Sequence, residues 1–141
     1  MAGEAQDCFS DTTHKSHYND ERGIRNIYLG RYTRIDGSTV SGSALVDFLA
    51  VTDLAIAARL TAELKTSVTA LGAMKSAAEA GMAHDQMLAP GNAEGEALIT
   101  DAIDAPVVQT ASIDRAVTAP GLSKVGLNGS DSLDNPSAIF K

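Results

Sequence analysis

The clearest pattern along the chain is a run of apolar positions at Leu54, Ala57, Leu60, Leu64, Val68, Leu71, Met74, Ala78 and Met82, which step by three or four. That is the period of one helix face, so residues 54–81 read as a single rod, roughly 40 Å long at 1.5 Å per residue, with Gly81 as its stop. A second rod covers residues 93–118, with a face of Leu98, Ala102, Ile103, Val107, Thr110, Ile113 and Val117. Pro106 falls inside that pattern. Its ring removes a backbone donor and clashes with the preceding turn, so a kink or a helix start is expected there. The intervening segment HDQMLAPGN offers about one helical turn and then a Pro-Gly-Asn breaker, which lets the two rods point in opposite directions.

Upstream, residues 1–10 are small and polar and read as a disordered or extended lead-in. Ser10 or Asp11 can cap a helix running through THKSHYNDERGIRNIYLGRY, with Gly23 weakening its middle. Residues 33–43 carry the turn signal Asp36-Gly37 and read as a loop or short hairpin. The apolar run from Ala44 to Val51 predicts a two-turn helix, and Asp53 looks like the cap of the first long rod. After Ala119-Pro120-Gly121, the tail 122–141 is rich in Gly, Ser, Asn and Asp without a helical period, and it reads as an irregular segment packed on the bundle. The expectation is one all-α domain over residues 11–121, an antiparallel helical bundle. There is no repeat of 20–50 residues and no long heptad run.

Composition narrows this picture. Apolar residues make up 44% of the chain, but aromatics only 4% and Trp is absent, so the core must be built from small aliphatic side chains in closely packed helices. At 141 residues, folding can bury roughly two-thirds of the surface of the unfolded chain. A net charge of -7 repels polyphosphate and leaves no basic stripe, which argues against a nucleic-acid partner. No window reaches the eighteen or so apolar residues of a membrane span, and MAGEAQDCFSD has neither the basic nor the apolar region of a signal peptide. With Cys8 alone, no internal disulfide can form.

Three clusters carry candidate chemistry. Asp7, Asp11, His14 and Tyr18 step by four, three and four, with His17 three residues beyond His14, and would share one face of a helix that began early enough. Imidazole and carboxylate suit zinc or iron, so Asp11, His14 and His17 are the candidate metal ligands; the plainer alternative is a capped, solvated helix start. Arg22, Arg25, Asn26, Tyr28, Arg31, Tyr32 and Arg34 bring four guanidinium groups into one stretch, and Arg25, Tyr28 and Arg31 are candidates for gripping an anionic ligand. Here the alternative is that the arginines pair with Asp20, Glu21 and Asp36 while the tyrosines close the core. Cys8 reads as a small hydrophobe beside Phe9 rather than as a nucleophile. Gln109 on the second rod and Asp85 in the connection are placed to face an interior or a cleft. Asn128, Ser130, Asp131, Asp134 and Asn135 lack the spacing of a calcium loop and read as turns.

The stretches DCFSDTTHKSHYNDERGIRNIYLGRY, DQMLAPGN with VVQT, and SDSLDNPSAIF resemble, in order and spacing, the imelysin family of the iron-regulated protein A type. That family is described as two helical bundles related by a pseudo-twofold axis, and the chain resembles the second bundle from about residue 6 to residue 141. The resemblance implies the C-terminal half of an iron-regulated protein of the periplasm or cell envelope, a metal or small-ligand binding module linked to iron uptake. Its partner would be the missing N-terminal bundle or a second copy of itself. The family's metal signature, Gly-x-His-x-x-Glu, belongs to the first half and is matched by none of His14, His17 and His84. Pro106 and Pro120 also depart from the family pattern, which more usually carries Leu. Two alternatives stand beside this reading: a fragment of an M75-like metallopeptidase, and a truncated product without independent activity.

Overall fold

The computed structural model describes Asp7 and residues 10–121. Among these it contains α1 (Thr13–Leu29), β1 (Arg31–Thr33), β2 (Thr39–Ser41), α2 (Leu45–Thr52), α3 (Leu54–Glu79), α4 (His84–Met87) and α5 (Ala93–Thr118). The fold is the expected all-α bundle, with one small antiparallel hairpin added. Cys8, Phe9 and the tail with its Asn128 to Asn135 turns lie outside the described residues.

Local signals set most of the boundaries. Asp53 caps α3 by accepting from the Ile56 amide at 3.0 Å, and Asn92 caps α5 by accepting from the Gly95 amide at 3.0 Å. The first helix starts at Thr13, where the expected run begins, but ends at Leu29, short of Tyr32. Asp7 and Asp11 adopt left-handed backbone angles, φ 58° and 51°, so the helix starts only after Thr12, and neither Ser10 nor Asp11 caps it. At its other end Gly30, also left-handed at φ 57°, donates its amide to the Asn26 and Ile27 carbonyls and turns Arg31 and Tyr32 out of the helix into β1. A Cβ at Gly30 would stand 2.8 Å from the Gly42 and Ser43 carbonyl oxygens, so only glycine fits there. The hairpin pairs Arg31 with Ser41 and Thr33 with Thr39. Its turn is held by Asp36, whose carboxylate accepts from the Ser38 amide at 2.9 Å and its hydroxyl at 2.6 Å; these bonds hold the acid below its usual range.

Helix α3 runs antiparallel to both α1 and α5, which are parallel to each other. Tyr28 of α1 packs with Ala57, Leu60 and Leu64 of α3, and this cluster takes Ile113 and Ala116 from α5 and Leu49 from α2. At the opposite end Tyr18 of α1 meets Leu71 and Met74 of α3, Ala102 and Ile99 of α5, and Met87 of α4. Between the two apolar clusters lies a polar layer. Ser67 of α3, 0% exposed, donates to Gln109 Oε1 at 3.0 Å, and Gln109 Nε2 donates to Glu21 Oε2 at 3.1 Å. One buried residue from each long helix is thus joined in a single chain.

This layer corrects the expected inner faces. On α3 the stripe runs Ala57, Leu60, Leu64, Ser67, Leu71 and Met74, with Val68 half-buried and Leu54 exposed. On α5, Ile103 and Val107 face outward, while Gly95, Ala102, Gln109 and Ser112 face inward. Ala102 of α5 packs with Leu71 and Met74 of α3, and small Ser67 of α3 faces the longer Gln109 of α5. Pro106 starts no helix: α5 continues through it, because packing against α3 on both sides outweighs a local cost of roughly 3 kcal/mol. Pro120 lies beyond the helix end, where proline is well tolerated, so it carries no interior penalty.

Two consequences can be measured. Burial pushes the Glu21 carboxyl above its ordinary value of 4.5, with the Gln109 hydrogen bond pulling the other way. A carboxyl raised in the folded state contributes stability that is fully present below the unfolded value and is lost as pH rises through the raised one. Glu21→Gln keeps the shape and removes the ionisation. It should raise the melting temperature by a few degrees at about pH 8, on the order of 1 kcal/mol, and by much less near pH 4. Thermal unfolding followed by circular dichroism at both pH values checks this. At the α4–α5 contact, a Cβ on Gly95 would stand 2.5 Å from both Cα and O of Met87. Gly95→Ala should therefore destabilise the fold by about 1–3 kcal/mol in chemical denaturation, despite alanine's better helix propensity.

Candidate functional site

The N-terminal half of α1 presents His14, His17 and Glu21 at spacings of three and four, so the three share one face. After α3, Gly81 takes φ 111° and turns the chain back, and the single turn of α4 brings His84 to the same end of the bundle. Here α1, α3, α4 and α5 enclose a cavity of about 470 Å³. His17, Asp20, Glu21 and His84 are its polar lining, and Leu71, Met74 and Ile103 contribute to its apolar wall.

The electrostatics reflect this convergence. His84 titrates below the ordinary histidine range, first because it is buried and then because His17 and His14 bring positive charge close to it; Asp85 and Asp11 act in the opposite direction. Its Nδ1 is buried with no hydrogen-bond partner, and so is Nδ1 of His14. Glu21, only 4% exposed, uses Oε2 for Gln109 and leaves Oε1 buried and unpartnered. Buried polar atoms are nearly always paired; among the described residues, Glu63 Oε2 and Ser112 Oγ share this unpartnered state with the His14, His84 and Glu21 atoms.

The candidate metal ligands are only partly assembled. His14 and His17 lie on α1 as expected, His14 buried and His17 on the cavity wall. Asp11 precedes the helix in its left-handed turn, so the expected continuous face from Asp7 to Tyr18 does not form. Asp7 is used otherwise: its carboxylate accepts the Ser16 hydroxyl and its carbonyl accepts the Ser10 amide. Among the described residues, no three His, Cys, Asp or Glu side chains come together closely enough to hold a metal ion. These residues therefore do not fit a complete iron or zinc centre by themselves.

The candidate anion site is also dispersed. Tyr28 sits in the core, its hydroxyl donating to the Ala57 carbonyl at 3.0 Å, and it lines an apolar groove. Arg31 is on the hairpin and lines a different, open cleft with Asn26 and Tyr32. Arg25 is half-buried on α1. Glu21 bonds Gln109, while Arg59 pairs with Glu63 and Lys75 with Glu79, each at 2.7 Å within α3. Arg22 instead lies over the Tyr18 ring, 5.5 Å from its centre.

Sequence reasoning missed Glu21 and His84 as site residues. The first was legible, because Glu21 is four residues from His17. The second was not, because only the fold-back at Gly81 brings His84 to α1.

No helix among the described residues is long and apolar enough to cross a membrane. A search of the curated proteins gave no match. A family model described as Peptidase_M75, Imelysin, matches residues 2–113, which span α1 through most of α5 and include every polar residue of the cavity. The chain belongs to the imelysin family.

Proposed function

We propose that this chain is the C-terminal helical bundle of an imelysin-type protein of the cell envelope, and that it serves iron uptake as a binding module for a metal ion or small polar ligand rather than as a peptidase. The observation that carries this reading is the pair of buried, unpartnered imidazole nitrogens of His14 and His84 where α1 meets α4, beside the cavity that His17 lines. Leaving such atoms unsatisfied costs roughly 1–3 kcal/mol each, and a bound group that accepts from or coordinates them offsets that cost. His14 and His17, with Asp11 close by, supply part of a ligand set. Another part of the protein supplies the rest.

A peptidase needs an open-coordinated metal with a general base beside it. The chain lacks Gly-x-His-x-x-Glu, so no residue here is assigned that role. The outward aliphatic stripe Ile103, Val107 and Val108 on α5 is the face we assign to the other bundle. A second copy of the chain would use the same face when that bundle is missing.

Isothermal titration of the full 141-residue chain with zinc and with ferrous ion tests the reading. We expect one site, weakened about tenfold or more by His17→Ala and by His84→Ala, with helix content unchanged. Absence of heat with both metals would remove metal binding by this chain's own histidines and favour a small polar ligand. Chelator-sensitive cleavage of a peptide by the purified chain would overturn the non-enzymatic assignment.

A further inference from the structure

The cavity at the histidine end holds acid groups without a matching cation. Glu21 lines it while only 4% exposed, with Oε2 taken by Gln109 and Oε1 buried and unpartnered. An ionised carboxylate can only accept hydrogen bonds, so that oxygen calls for a donor. Asp20 precedes it on the same wall, and among the described residues no lysine or arginine lines the cavity. Arg22, next in sequence, lies over the Tyr18 ring instead, and Lys75 lies 5.6 Å from the centre of that ring and bonds Glu79.

These surroundings select among ligands. An anion would meet two carboxylates with no guanidinium or ammonium to hold it. A bare metal ion lacks a converging set of three side chains among the described residues. A cation that carries its own N–H donors needs no such set, only acceptors. The rest of the wall is apolar, with Leu71, Met74, Ile99 and Ala102 lining it. Its volume of about 470 Å³ falls in the range of small-molecule sites, roughly 300–1,000 Å³.

We propose that the ligand of this cavity is a small organic ammonium, whose N–H groups donate to Glu21 Oε1 and whose hydrocarbon chain lies against Leu71, Met74 and Ile99. This names a chemical class within the small-ligand reading above and rests on it. Burial raises the Glu21 carboxyl above its ordinary value, and a positive charge beside it favours the ionised form that accepts from the ammonium.

The test titrates the full chain, labelled with nitrogen-15, with pentylammonium, pentanol and pentanoate, which share a hydrocarbon chain and differ in head group. Pentylammonium should shift the amides of His17, Glu21, His84 and Ile99 saturably, pentanol should bind severalfold more weakly, and pentanoate should not bind. Glu21→Gln keeps the shape and should weaken pentylammonium about tenfold. Asp47→Asn, at an exposed position of α2 near the other end of the bundle, removes the same charge and should leave binding unchanged. Equal weakening by both variants would mean attraction to the overall charge of -7 alone and would overturn the proposal. So would pentanol or pentanoate binding as tightly as pentylammonium. Zinc titrated in the same way separates this inference from the reading beneath it. Shifts at His17 and His84 with zinc but none with pentylammonium would overturn the ammonium and keep the metal-binding module, and no response to either would overturn both.

Discussion

The bundle is organised around a chain of two hydrogen bonds, Ser67 to Gln109 to Glu21, which takes one residue from each long helix. Apolar packing alone would allow α5 to rotate, because it carries aliphatic residues on more than one face: Ile99 and Ile113 inside, Ile103 and Val107 outside. The polar layer removes that freedom. Turning α5 so that Ile103 or Val107 faced inward would carry Gln109 away from its partners. A buried carboxyl would then be left with no hydrogen bond, in a setting where a lost bond costs more than a gained methyl contact. The layer trades some stability for a single register, at the cost of a carboxyl held in an environment that resists its charge.

That trade also explains what was legible in the sequence. The two rods, their antiparallel course, the Asp53 cap and the Asp36-Gly37 turn follow from local periodicity and local capping chemistry, which need no knowledge of distant residues. The inner faces were harder to read. Counting only apolar positions places Val68, Ile103 and Val107 inside and leaves Ser67 and Ser112 outside, whereas the fold does the reverse for all except half-buried Val68; Gln109 is buried, as its expected place facing an interior or cleft requires. A periodic hydrophobic pattern identifies a helix but does not fix its rotation when the core includes a polar layer. The shared face of Asp7, Asp11, His14 and Tyr18, which required an early start of α1, does not form: aspartate tolerates left-handed backbone angles, and Asp7 and Asp11 use them to turn rather than to extend the helix. The candidate site divides in the same way. His14, His17 and Glu21 share a face by spacing within one helix, but His84 joins them only through tertiary folding.

The two open cavities arise from a mismatch of lengths. Helices α3 and α5 each run 26 residues and α1 runs 17, but the elements that close the ends are short, 8 residues in α2 and 4 in α4. Neither can span the grooves that three long rods create, so each end of the bundle keeps an opening. The character of each opening is set by α1, whose sequence changes along its length from His14, His17 and Glu21 to Ile24, Ile27 and Tyr28. The polar end borrows His84 from α4 and becomes a place where imidazoles meet a carboxyl. The apolar end borrows Phe48 and Leu49 from α2 and becomes a groove without charge. Because Glu21 belongs both to the polar cavity and to the layer that fixes helix rotation, a change in its ionisation acts on the packing of all three long helices. The apolar end has no such connection, since Tyr28 is held by the Ala57 carbonyl. The polar end is therefore hydrogen-bonded to the layer that fixes helix rotation, and the apolar end is not.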